Sequence, residues 1–180
     1  MIRLKKMKLY QEELQNEIVS ELNSLIGKKF GTIYSSYIAI ENHIFLSREY
    51  SIYYKNTCFN ISQVQKRTKE DCDYYKLEIV KSDRPSMSIS YDKERRTFTG
   101  YVSSIRDFYS EILLDIKYYR KEETWGSEKL RYVSALVFVF KKGKFILNIE
   151  ESVIENIEYS KDKNYIKDIL TDCSEINFLR

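Results

Sequence analysis

The sequence predicts an α+β fold in a single domain, residues 1–180: an N-terminal helix packed on a curved, mostly antiparallel β-meander or barrel-like sheet, with a short C-terminal helix. Three observations predict it. Apolar residues recur at helical spacing near the two ends of the chain. Between them, β-branched and aromatic residues alternate with polar ones in short runs broken by turn residues. No helical pattern separates those runs, as the crossovers of a parallel sheet would require. One helix cannot cover a flat sheet of roughly six to eight strands, so the sheet is expected to curl.

The opening helix rests on Leu14, Ile18, Leu22 and Leu25 or Ile26, which fall on one face. Glu12, Glu13 and Glu17 lie in its early turns, where the helix dipole favours acids, and Gly27 is a natural stop. Residues 32–40 then read as a strand, Glu41-Asn42-His43 as a turn and residues 44–46 as the returning strand. Residues 50–54 and 57–61 are further strands, broken near Lys55-Asn56. Residues 63–73 are charged and predict a loop or short exposed helix. Residues 74–80 alternate, with Tyr75, Leu77 and Ile79 on one face and Tyr74, Lys76 and Glu78 on the other. Ser82-Asp83-Arg84-Pro85 is a turn signal, and Met87, Ile89 and Tyr91 alternate in the next strand. Residues 92–96 read as a charged hairpin loop and residues 97–105 as its return strand.

Residues 106–120 fit two patterns. Ile105, Phe108 or Tyr109, Ile112, Ile116 and Tyr119 match a helical face, whereas Ile112, Leu114, Ile116 and Tyr118 match a strand. The β-rich neighbourhood favours a strand over 111–120. Residues 124–128 predict a loop holding Trp125 and Gly126. Residues 130–140 and 144–149 form the clearest strand pair, with Gly143 supplying a left-handed residue for the hairpin. Tyr165, Ile166, Ile169 and Leu170 mark the last helix, capped by Asp162.

Composition excludes more functions than it suggests. The chain has one histidine, His43, one proline, five glycines, sixteen tyrosines and nine phenylalanines. His43 and Glu41 have no nucleophile tied to them by a motif. Cys58, Cys72, Cys173 and His43 lack the short paired spacing of a zinc site. Asp71, Asp73, Asp83, Asp92 and Glu94 could supply a divalent-metal enzyme by composition, but each falls in an expected loop or turn, where acids are common. Ser86-Met87-Ser88 carries no accompanying motif, and no phosphate-binding glycine loop is present. No catalytic residue, metal or cofactor is therefore assigned.

The odd number of widely spaced cysteines points to reduced thiols in a cytosol. The basic N-terminus is followed by Gln11-Glu12-Glu13 in place of an apolar stretch, which argues against an export signal. The longest apolar run, six residues at 135–140, is far short of the ~20 needed to span a membrane. Net charge is +3, divided unevenly: residues 150–180 carry −4 and residues 1–149 carry +7. The acidic end can neutralise a basic face or leave a modest basic surface elsewhere. Lys66-Arg67-Thr68-Lys69 and Arg95-Arg96 are each interrupted by acids and read as solvated loops.

Tyrosine is the only functional signal. In adjacent pairs such as Tyr53-Tyr54, Tyr74-Tyr75 and Tyr118-Tyr119 a strand must turn one ring to each face. Such rings stabilise a sheet by cross-strand packing, or they offer rigid amphipathic area to a partner. The binding residues assigned on this basis are Tyr53, Tyr54, Tyr118, Tyr119, Arg120 and Trp125. The function expected is a non-enzymatic cytosolic protein-binding module, an inhibitor of the immunity-protein, antitoxin or phage counter-defence type that acts by occlusion, with the acidic C-terminal segment taking part. The alternative is a nucleic-acid or nucleotide-binding β-domain, since Lys55, Lys76 and Arg120 each follow a tyrosine.

Overall fold

The computed structural model describes residues 7–178 other than 37, 43, 70, 72, 87–89, 93, 95, 96, 100–102 and 150–155. The expectations for His43, Cys72, the Met87–Ile89 alternation and Arg95-Arg96 lie outside the described residues.

The first described element is a strand, β1 (Lys8–Glu12), so Glu12 ends a strand instead of opening a helix. The helix expected at the N-terminus follows as α1 (Asn16–Asn23), eight residues long. Val19 and Leu22 are its buried face, and Gly27, at φ +82°, lies just beyond its end. The small strands β2 (Thr32–Ser35), β3 (Ala39–Glu41) and β4 (Ile44–Ser47) come next. β5 (Glu49–Tyr54), β6 (Thr57–Arg67) and β7 (Asp73–Ser82) form a meander. β8 (Ser90–Asp92), β9 (Thr97–Thr99) and β10 (Ser103–Ile105) are short. β11 (Leu113–Trp125), β12 (Glu128–Phe140) and β13 (Gly143–Ile149) are the longest run of structure. β14 (Ile157–Ser160), α2 (Lys163–Ile169) and β15 (Cys173–Ile176) complete the chain. Among the described residues no helix is long and apolar enough to cross a membrane.

The fold is mostly β, with two short helices and two antiparallel sheets, and the described strands close into no barrel. The large sheet runs β15-β11-β12-β13-β14-β4-β3, and the second runs β10-β2-β5-β6-β7. β8 and β9 pair separately. One described pairing is parallel: β1 lies along Glu128–Tyr132 of β12, where β13, paired from Ala135 onward, no longer reaches. β12 is thereby flanked on both sides over nearly its whole length.

The chain changes sheets between Ser35 and Ala39 and again at Arg48, and the Ser35 and Ser47 hydroxyls hydrogen-bond to each other, buried, beside these changes. One core spans both sheets. Ile33, Tyr50, Ile52, Ile61 and Leu77 of the smaller sheet meet Leu130, Leu136, Phe138, Phe145 and Leu147 of the larger. Phe145 is its centre, with its ring 4.7 Å from Phe138, 5.0 Å from Tyr159, 5.7 Å from Phe30 and 5.9 Å from both Phe108 and Phe140. On the opposite face of the large sheet, Ile166 of α2 packs on Ala135, Val137 and Ile146. Two-sided burial explains why residues 135–140 form an unbroken apolar run.

Several sequence expectations need correction. Residues 63–67 and Asp73 are strand, not loop or helix: β6 and β7 extend as a long hairpin paired as far as Arg67 and Asp73. Residues 124–128 are a tight turn, because Trp125 pairs with Glu128 across Gly126-Ser127 and Gly126 takes φ +56°. Gly143 is not the left-handed residue of its hairpin; it pairs with Phe140, leaving Lys141-Lys142 as the turn. Tyr74, assigned to the face opposite Leu77, is buried with it and approaches Tyr132 at 6.1 Å. Residues 97–105 are two strands in different sheets. The strand over 111–120, the paired 130–140 and 144–149, and the Asp162-capped helix are all present.

Candidate binding surface

The sequence-assigned binding residues are dispersed. Tyr118 is 3% exposed, its hydroxyl donating to Asn23 at 2.9 Å and its ring set edge-on against Phe178. Tyr119 packs beside α2 and donates to Glu175 at 3.3 Å. Burial raises its pKa, and the Glu175 carboxylate adds to the rise. Arg120 lies 3.8 Å from Glu13. Trp125 borders a cleft of about 150 Å³ with Tyr75 and Glu123. Tyr53 and Tyr54 sit at the β5–β6 hairpin, half-buried. The hairpin turn holds Lys55 and Asn56 at positive φ, 44° and 55°, which matches the strand twist.

Lysine, not tyrosine, gathers on one surface. Between the β12–β13 turn and α2 lies a groove of about 700 Å³ floored by Phe108, Val139 and Phe140. Lys141, Lys142, Lys144, Lys161, Lys163 and Lys167 line it. Lys142 pairs with Glu111 at 3.0 Å and Lys161 with Asp107 at 2.8 Å. The other four have no carboxylate partner among the described residues. Unpaired lysines held together keep their hydrated ammonium groups only at the cost of mutual repulsion, which a bound anion relieves.

The basic surface continues past the groove. Leu113 pairs with Phe140, and Lys29 bridges to Ile112 on the other side of the same strand. Backbone bonds from Gly27 to Leu113, Leu113 to Lys28 and Phe30 to Glu111 fix this alignment. Lys28-Lys29 and Lys141-Lys142 therefore flank Ile112 about two strand spacings apart, ~10 Å. Lys28 and Lys55 each place an ammonium 5.5 Å from the Tyr54 ring. Gly31 makes this possible: a Cβ there would stand 1.8 Å from the Tyr53 carbonyl oxygen. Arg106 lies 5.9 Å from the ring of Tyr109, which is 57% exposed.

No protein-family model matches the chain, and no curated protein or solved structure matches it. The assignment of the surface rests on its own chemistry.

Of the residues assigned from sequence, Tyr54 borders this band; Tyr53 rests against Tyr34, and Tyr118, Tyr119, Arg120 and Trp125 do not take part in the band. Lys55 was visible beside Tyr54; the other lysines were missed because they come from residues 28–29, 141–144 and 161–167, segments far apart in the chain. The signal available was the Lys-Lys-Gly-Lys run at 141–144. The segment counted as acidic, 150–180, contributes three of the groove's lysines. By contrast Arg67 is taken up by Asp71 at 3.1 Å and Asp73 at 2.8 Å.

Proposed function

We propose that the chain is a non-catalytic binding module whose basic band takes a polyanion, and that single-stranded nucleic acid is the ligand whose chemistry fits it. The observation that carries this reading is the set of four lysines around the groove without a carboxylate partner among the described residues, continuous with Lys28, Lys29 and Lys55. Ammonium groups bind phosphates as point charges without reading sequence. Tyr54 and Tyr109, each beside a cation, supply flat surfaces on which unpaired bases stack. A duplex offers no such bases, which favours single strands.

The test is fluorescence anisotropy with an oligonucleotide of about 16 nucleotides, titrated across ionic strength. Engagement of the four unpaired lysines gives a log–log salt slope near −3, at ~0.7 per phosphate. Replacing Lys141, Lys144, Lys163 and Lys167 with glutamine should remove most of that slope. Tyr109→Ala should weaken binding about tenfold and leave the slope unchanged. Absence of binding at low salt, or binding indifferent to the four substitutions, would sink the reading.

A second reading keeps the protein-binding inhibitor that acts by occlusion. It is favoured by exposed Tyr109, Ile112 and Leu114, apolar groups amid the lysines. An apolar centre with a charged rim is the anatomy of a protein interface. A protein that stays bound to the chain at high salt and is released by Ile112→Ser would establish it over the first.

A further inference from the structure

The outer face of the large sheet is apolar where Ala135, Val137 and Ile146 meet α2. One row across it is polar. Register sets Cys173 of β15 opposite Lys121 of β11, and Asn148 of β13 opposite Glu158 of β14. Between them Tyr119 pairs with Ala135 and Arg120 with Val133, which leaves Ser134 of β12 as the extra residue of a bulge. Five adjacent strands thus each contribute one polar side chain to an oblique row across this face of the sheet. Asp168, Ile169 and Asp172 overhang this row and complete a cleft of about 280 Å³. None of its lining residues belongs to the lysine groove.

Polar groups are seldom buried beside an apolar helix contact without a use for their hydrogen-bonding capacity. Ser134 is 3% exposed and Asn148 7%. The Asn148 amide nitrogen donates to the Ile149 carbonyl at 2.9 Å and to Glu158 at 2.8 Å. Its Oδ1 accepts nothing among the described residues. Tyr165 also donates to Glu158, fixing that carboxylate in place. The Asp168 and Asp172 carboxylates at the mouth likewise have no partner among the described residues. Lys121, the one cation of the lining, pairs with Glu123 at 3.7 Å. The cleft is therefore rich in acceptors and negative in charge. Its carboxylates do not converge as a metal-ligand set among the described residues.

We propose that this cleft binds a small organic cation with N–H donors, a primary amine or a guanidinium, with Asn148 Oδ1 accepting at its base and Asp168 and Asp172 holding the charge at its mouth. Its volume lies at the low end for ligand sites, ~300 Å³, which limits the occupant to a short chain. An anion would meet three carboxylates and is excluded.

Calorimetric titration of the full chain with putrescine and agmatine, and with butyrate as the opposite-charge control, tests the site. Saturable one-site binding of the two cations and none of butyrate is expected. The double variant Asp168→Asn, Asp172→Asn changes only exposed side chains and should fold normally, with affinity lowered about tenfold. A second measurement needs no substitution: bound amine should slow alkylation of Cys173 by iodoacetamide, followed on its own peptide by mass spectrometry. No saturable binding, undiminished binding by the double variant, or Cys173 alkylated equally fast with and without amine would overturn the proposal.

Discussion

Glu12 illustrates how one side chain joins elements that the sequence shows no reason to connect. It ends β1, on the large sheet, yet it accepts from Lys76 at 2.6 Å and from Tyr74 at 3.1 Å on β7 of the other sheet. Burial pushes its pKa up, but the hydrogen bond and charge of Lys76 outweigh this, and the net shift is downward from the ordinary 4.5. Tyr74 moves the other way, pushed up to about 12 by burial and by the Glu12 charge beside it. A carboxyl whose folded pKa is depressed stabilises the fold above its unfolded value and loses that contribution as pH falls through the folded value. Glu12→Gln should cost about 1 kcal/mol at neutral pH, discounted for partial exposure. Urea unfolding measured from pH 7 down to about 3 should show the wild-type advantage shrinking below the ordinary carboxylate range, whereas a difference constant across pH would refute the assignment. Cys58 is a contrasting residue: burial first, with Asp83 adding to it, pushes its thiol up to about 11, so the folded chain keeps it unreactive.

At the scale of elements, what was legible followed local pattern. Asp162 was readable as a cap because its side chain needs only its own neighbours, accepting from the Asn164 and Tyr165 amides, both at 2.9 Å. Asp162→Ala should lower stability by about 1 kcal/mol, read as a shift in the denaturant midpoint with unchanged slope. No shift would mean that packing of Ile166 alone fixes α2. The hairpin at 63–73 was illegible for the opposite reason. Gln65, Lys66 and Arg67 are exposed at the end of a hairpin that outruns the core, so nothing apolar marks them as strand. Partition between sheets was equally hidden: β4 and β5 are consecutive and separated by Arg48 alone, yet they belong to different sheets. Alternation reports a buried face but not which sheet buries it. The lysine band shares this limit, since a surface lysine gains meaning only from neighbours brought by the fold.

The whole molecule depends on one aromatic centre. Phe145 is fully buried, with rings from β12, β14, Phe30 and Phe108 around it. Phe108 and Phe140 are at once part of this centre and the floor of the lysine groove. Phe145→Ala should cost about 3–5 kcal/mol, a large share of the ~5–15 kcal/mol that holds a typical domain. Thermal and urea unfolding would register it, and a loss below about 1 kcal/mol would mean the neighbouring rings collapse into the space. The parallel pairing of β1 on β12 has a consequence of a different kind, in time. Lys8 meets Glu128 and Glu12 meets Tyr132, so β1 has no partner until β12, far along the chain, has been synthesised. β11, β12 and β13, by contrast, are successive hairpins that can pair as they emerge. β1 is thus among the last of the described strands to find its place.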